Sequence, residues 1–215
     1  TAIIIDVVND SRGSYAGVTE RIDQAVARVR DDTVDVTVGG SPQYLVAIER
    51  YSQRMALLFP LAVLITGLIH YEAFRTLQGL VLPLVTALLA VVLGLGVMGW
   101  SGVTLDAFNA TTPILILAVA AGHAVQVLKR YYEEFHRLRT EGVEPALANR
   151  QAVVEAMVRI GPVMLTAGGV AAAGFLSLVV FETQTIRTFG IFTGLGILSA
   201  LVLEMTFIPA LRARL

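Results

Sequence analysis

The sequence contains no cysteine. Disulfides, thiolate nucleophiles and cysteine metal sites are therefore excluded, and the redox compartment cannot be read from it. Charge is scarce too. Asp, Glu, Lys and Arg make up 15% of the 215 residues, against about 25% in soluble domains. The formal net charge is −1, so no global field points to a nucleic-acid partner. There is no P-loop, HExxH, GxSxG or Cys/His cluster, so neither an enzyme, a metal nor a cofactor is expected. The chain opens on Thr1 with no basic segment leading into a short apolar core. No signal peptide is expected, and the chain reads as a piece of something longer. What it has in abundance is apolar surface: 55% of residues are hydrophobic and the mean hydropathy is +0.71. Lipid, rather than water, is the expected solvent for most of it.

Residues 1–42 differ from the rest. Ile3, Ile4, Ile5, Val7 and Val8 form a strand-length apolar run that Asp10, Ser11 and Gly13 break. Ile22, Val26 and Val29 recur at helical spacing, and Val34, Val36 and Val38 alternate. The pattern predicts a β-α-β unit, too short to fold alone. It reads as the end of a larger α+β domain outside the membrane. Gly39, Gly40, Ser41 and Pro42 mark the change of character.

Residues 43–215 read as an all-α membrane domain. A spanning helix needs about 20 mostly apolar residues. Five stretches qualify: 53–74, 77–100, 109–128, 160–181 and 189–211. Pro60, Pro83, Pro113, Pro162 and Pro209 lie in or near them, which membrane helices tolerate. Orientation follows from Lys and Arg. With the C-terminus inside, the inner segments hold Arg75, then Lys129, Arg130, Arg137, Arg139, Arg150 and Arg159, then Arg212 and Arg214. The outer connections between spans hold Arg187; Arg50 and Arg54 count the other way but are outnumbered. The N-terminal piece is then periplasmic or extracellular, the C-terminus cytoplasmic, and Trp100 anchors the outer interface. In the connection 129–159, Tyr131, Phe135 and Leu138 share one face, and Ala146, Val153, Val154 and Met157 another. These are either amphipathic helices lying on the membrane or extensions of the spanning helices. Extension is the better reading for the first stretch; for the second the two are balanced.

Three segments carry a family resemblance. Val119-Ala-Ala-Gly-His-Ala-Val-Gln-Val-Leu-Lys-Arg-Tyr-Tyr-Glu-Glu134 resembles the fourth helix of MMPL-type members of the RND superfamily and its exit loop. Gly161-Pro-Val-Met-Leu-Thr-Ala-Gly-Gly-Val-Ala-Ala-Ala-Gly-Phe-Leu-Ser-Leu178 resembles their fifth helix. Ile186-Arg-Thr-Phe-Gly-Ile-Phe-Thr-Gly-Leu-Gly-Ile-Leu198, leading to Pro209-Ala-Leu, resembles the sixth. The order of elements also resembles the five-helix sterol-sensing block of Patched-like members. The resemblance implies helices two to six of one transporter half, preceded by the end of a porter domain. It implies export of lipids or other hydrophobic compounds driven by the proton-motive force, in an inner (plasma) membrane. The partners would be membrane lipids or a hydrophobic substrate, a second RND half on the same or another chain, and further copies in a homo-oligomer. A lipid- or sterol-sensing module without transport and a SecD/SecF-like translocation helper are the rivals. One departure stands out. Where many members carry Asp followed by Tyr or Asp in the fourth helix, this chain has Gly122 and His123.

His123 and Glu204 are the ionisable groups expected deep in the membrane, at similar depths. Such groups are costly there and face a bundle interior or cavity. A histidine titrates near neutral pH, and burial raises a carboxyl group's pKa. The two are candidate proton-relay groups and a candidate pair, in place of the missing Asp; static interhelical hydrogen bonds are the alternative. Asn109, Thr112, His123 and Gln126 fall near one stripe of their helix, and Thr193 shares the face of Glu204. Thr166 is a further polar candidate, although a bond to its own helix explains it equally well. His70 and His136 are expected at the surface near the inner interface. The glycines of the spans are expected to serve close helix packing.

Overall fold

The computed structural model describes residues 15–29, 36–106 and 109–213. The chain divides into two compact units, residues 1–54 and 55–215. Six α-helices are present among the described residues: α1 (Ala16–Val29), α2 (Ser41–Phe74), α3 (Leu77–Trp100), α4 (Thr112–Thr140), α5 (Pro145–Leu176) and α6 (Gln184–Arg212). Short 3-10 turns precede α4 and follow α5.

In the first unit, α1 is amphipathic. Thr19 is buried and its hydroxyl donates to the Ala16 carbonyl at 3.0 Å. Gln43 Nε2 donates to Asp23 Oδ1 at 3.2 Å. The helix expected within residues 1–42 is thus present, but no strand is found among the described residues. The first expected strand, at Ile3–Val8, lies outside them. The second falls on Thr33–Val38, and its described part, Val36–Val38, has no strand partner. Alternating valines favour an extended chain, but a strand forms only when a neighbour takes up its N–H and C=O groups.

α2, which begins in the first unit and continues into the second, and α3 to α6 of the second unit are each long and apolar enough to cross a membrane. The 24 residues of α3 extend about 36 Å, more than the hydrocarbon thickness of about 30 Å. α6 packs against α3, α4 and α5, and α4 packs against α3 and α5 as well. Half of the most apolar stretch of α4 and of α6 is buried. α5 presents most of its apolar surface outward, as a lipid-facing helix does. In a bilayer such exposure carries no hydrophobic penalty, so packing and polar contacts decide which faces turn inward.

The connection 129–159 resolves in favour of extension. α4 continues to Thr140, and α5 begins at Pro145, capped by the Glu144 carboxylate on Leu147 N at 3.1 Å. Tyr131, Leu138, Ala148, Ala152, Val153 and Ala156 form one core cluster between the two extensions. The apolar faces that might have lain on lipid are used up against each other. Gly142, at φ +84°, makes the turn between them.

Candidate functional site

α4 and α6 run parallel in a single register. Thr112 stands against Thr193 with hydroxyl oxygens 3.2 Å apart, and His123 against Glu204, each pair 81 residues apart in sequence. Tyr131 against Arg212 keeps the same offset. Small residues allow this approach. Ala120, Ala124 and Ala200 are fully buried, and a β-carbon on Gly196 would lie 2.1 Å from Ile116 Cδ1. Polar rungs therefore alternate with apolar layers along the seam. Ile116, Leu117, Ala120 and Ala200 pack with Ala87, Ala90 and Val91 of α3 in one core cluster. Ala124, Val127, Leu128 and Ile208 belong to another.

The central rung sets two buried ionisable groups against each other. His123 Nδ1 lies 3.1 Å from Glu204 Oε2; the histidine is 8% exposed and the glutamate 0%. A hydrogen bond at this distance takes one proton between the two atoms; with Nε2 also protonated, that proton gives an ion pair when the imidazole carries it and a neutral pair when the carboxyl does. Glu204 Oε1 is buried with no partner, an exception to the rule that buried polar atoms are satisfied. Among the described residues, α3 carries no ionisable side chain and α5 none beyond Arg159; on α2, the buried His70 lies a comparable distance from its basic end. Thr86 of α3, fully buried, is eight residues from Gln78 as Glu204 is from Arg212, which places it at the depth of the pair. Its hydroxyl donates to the Leu82 carbonyl at 2.8 Å.

The two ends of the seam differ. At the end near Trp100, Asn109 is fully buried; its Nδ2 donates to Thr188 Oγ1 at 3.4 Å, and its Oδ1 has no partner. Asp106 Oδ1 accepts from the Asn109 backbone N–H at 2.9 Å and holds the turn into α4. At the basic end, Arg212 is 8% exposed. Its guanidinium lies 4.3 Å from the Tyr131 ring centroid and 5.2 Å from that of Tyr132, and donates to Gln78 Oε1. Its carbonyl accepts from Asn149 Nδ2 at 3.1 Å, and Asn149 Oδ1 accepts from Tyr131 at 2.8 Å. Among the described residues no carboxylate pairs with it. The guanidinium thus joins α6 to α3 and α4, and the backbone carbonyl of the same residue reaches α5.

Of the polar candidates from sequence, the structure brings together His123 with Glu204 and Thr112 with Thr193, and places Asn109 at the head of the same seam. Gln126 is exposed instead. Val127 takes the seam position, because the register advances by three or four residues and skips 126. Thr166 is also exposed, and its hydroxyl bonds the Pro162 carbonyl at 2.8 Å. His70 departs from the surface placement. It is 2% exposed, its Nδ1 lies 2.6 Å from the Thr66 carbonyl, and its Nε2 is buried without a partner. Hydropathy gave its distance from the helix end but not which face is covered. His136 is exposed. Sequence reasoning missed Arg212, Thr86, Thr188 and Ile116. No local signal marks them, since each depends on which residue the register places opposite.

Comparison with known proteins agrees with this architecture. The model of the MMPL family matches residues 4–215. A protein of Methanocaldococcus jannaschii, whose name describes it as a membrane protein, is 26% identical over 215 residues, covering 97% of this chain and 53% of the relative. The chain thus spans about half the length of the curated relative it matches.

Proposed function

The chain belongs to the MMPL family, and from that premise we propose that it is one membrane half of a proton-driven exporter of lipids or other hydrophobic compounds. One observation carries the proton step: the buried His123–Glu204 pair, 3.1 Å apart on parallel helices, where many members place an aspartate. With Nε2 protonated, the pair is net neutral while it holds the shared proton and carries one negative charge once that proton leaves, and an uncompensated charge is costly in a low-dielectric interior. Loading and release of a proton would therefore bias the α4–α6 seam between two packings, and that bias is what a transporter couples to movement. The basic end faces the cytoplasm in this reading, and the Trp100 end faces outward, by the distribution of Lys and Arg. A second half, on the same or another chain, completes the transporter as a parallel repeat. The cargo is moved, not chemically altered.

The test uses the full natural protein in lipid vesicles, with a fluorescent phospholipid as cargo and a pH-sensitive dye inside. His123→Ala and Glu204→Gln are each expected to lower gradient-driven cargo movement and its accompanying proton uptake by about tenfold or more, as loss of an essential proton-transfer group does. Full activity of both variants would sink the proton role. Undiminished lipid binding without any gradient-driven movement in the natural protein would favour a sensing module instead.

A further inference from the structure

Building on the proton-carrying role of His123–Glu204, we propose that Ile116 is a hydrophobic valve on a water path that joins the Asn109 end of the seam to that pair. The path is marked at both ends by buried acceptors that nothing among the described residues satisfies: Asn109 Oδ1 above the valve and Glu204 Oε1 below it. Orphan acceptors of this kind are ordinarily served by water, which needs polar partners and room. Above the valve the partners are the Thr112, Thr188 and Thr193 hydroxyls. Below it, they are the pair itself.

Ile116 lies between the two. It is four residues from Thr112 and seven from His123, about 6 Å and 10 Å along the helix. Its side chain is fully buried and fills a notch made by two glycines on neighbouring helices. A β-carbon on Gly94 of α3 would come within 2.8 Å of Ile116 Cδ1, and one on Gly196 of α6 within 2.1 Å. The next layer towards the pair presents Ala120 and Ala200, packed and fully buried, whose small side chains would open a way once the helices part. One branched side chain seated at the crossing of three helices is a dewetting constriction of the kind that gates pores. Parting α6 from α4 slightly, or turning the Ile116 rotamer, would let water through.

The opposite route is closed differently. Val127, Leu128 and Ile208 lie between the pair and the basic end, and Arg212 stands there as a buried cation with no carboxylate partner among the described residues. A fixed positive charge at a narrow mouth repels incoming protons. Entry past Ile116 is the neutral route.

The experiment follows proton uptake by the full natural protein in vesicles under an imposed pH gradient and membrane potential. Ile116→Ala is expected to take up protons about threefold faster than the natural protein or more, since opening a dewetted constriction restores continuous water. Ile116→Val, a gentler change that guards against misfolding, should fall between them. Adding His123→Ala to Ile116→Ala should return uptake to background. In a cysteine-free background, Ala120→Cys should react with a small membrane-impermeant thiol reagent added on the Asn109 side only when Ile116→Ala is also present. Folded Ile116 variants that take up protons no faster, with Ala120→Cys still shielded, would overturn the valve. So would a double variant that leaks as fast as Ile116→Ala alone. If His123→Ala by itself leaves uptake unchanged, the proton role of the pair fails and the valve goes with it. If His123→Ala abolishes uptake while Ile116→Ala matches the natural protein, only the valve fails.

Discussion

The chemistry of single side chains here depends on how deep they lie and on what touches them. His123 and Glu204 were legible as deep ionisable groups, because counting back from the basic residues at the ends of their helices gives depth directly. His70 was not, since its burial depends on a neighbouring helix covering one face. The glycines divide in the same way. Gly190 and Gly174 look alike in sequence, but a β-carbon on Gly190 would lie 2.4 Å from the Phe175 carbonyl oxygen, and one on Gly174 would meet nothing within 4 Å. Backbone cannot move aside as a side-chain tip can. Gly190→Ala should therefore destabilise the bundle by about 1–3 kcal/mol, the usual range for overpacking, while Gly174→Ala should be nearly neutral. Thermal unfolding in detergent measures both. Equal melting temperatures would mean that α5 and α6 do not approach as closely as described.

Elements are held at their ends by a few polar contacts that the bilayer does not supply. Thr76 caps α3, accepting from Gly79 N at 3.1 Å, and its hydroxyl also meets the Tyr132 hydroxyl at 3.2 Å. Thr76→Ala is expected to cost about 1 kcal/mol, as lost caps do, read as a lower melting temperature in detergent; Thr76→Ser should recover most of it. Arg212 ties the end of α6 to α4 through a flat guanidinium on two aromatic rings and to α3 through Gln78, while its carbonyl meets Asn149 of α5. Lysine keeps the charge but not the plane. Arg212→Lys should speed amide hydrogen exchange in the last turns of α6, with little change near Thr193; uniform protection in both proteins would show that the latch is not holding the helix end. The helix spans themselves were mostly visible in the sequence. The extensions of α4 and α5 were not settled there, because an amphipathic face fits a lipid surface or another helix equally well.

At the scale of the whole molecule, the arrangement is a set of alternating layers. Polar rungs at Thr112–Thr193, His123–Glu204 and Tyr131–Arg212 are separated by apolar clusters along one parallel seam. If each of the five apolar helices crosses once, residue 40 and residue 213 face opposite sides of the membrane. Reporter fusions at residue 40 and at residue 213 are expected to report outside and inside respectively; both on one side would break the five-helix topology.

The sequence by itself determined the solvent, the number and rough limits of the crossings, and the depth of each ionisable group. Hydrophobic length and the placement of basic residues are properties of local composition, and a bilayer reads them one helix at a time. Only the tertiary structure decided the register of α4 on α6, and with it the pairing of His123 with Glu204, the exclusion of Gln126, the burial of His70 and the seat of Ile116 between two glycines. Those depend on which faces meet. In lipid that choice is made by close packing of small residues and by the few polar groups that must find partners, not by how apolar any one stretch is.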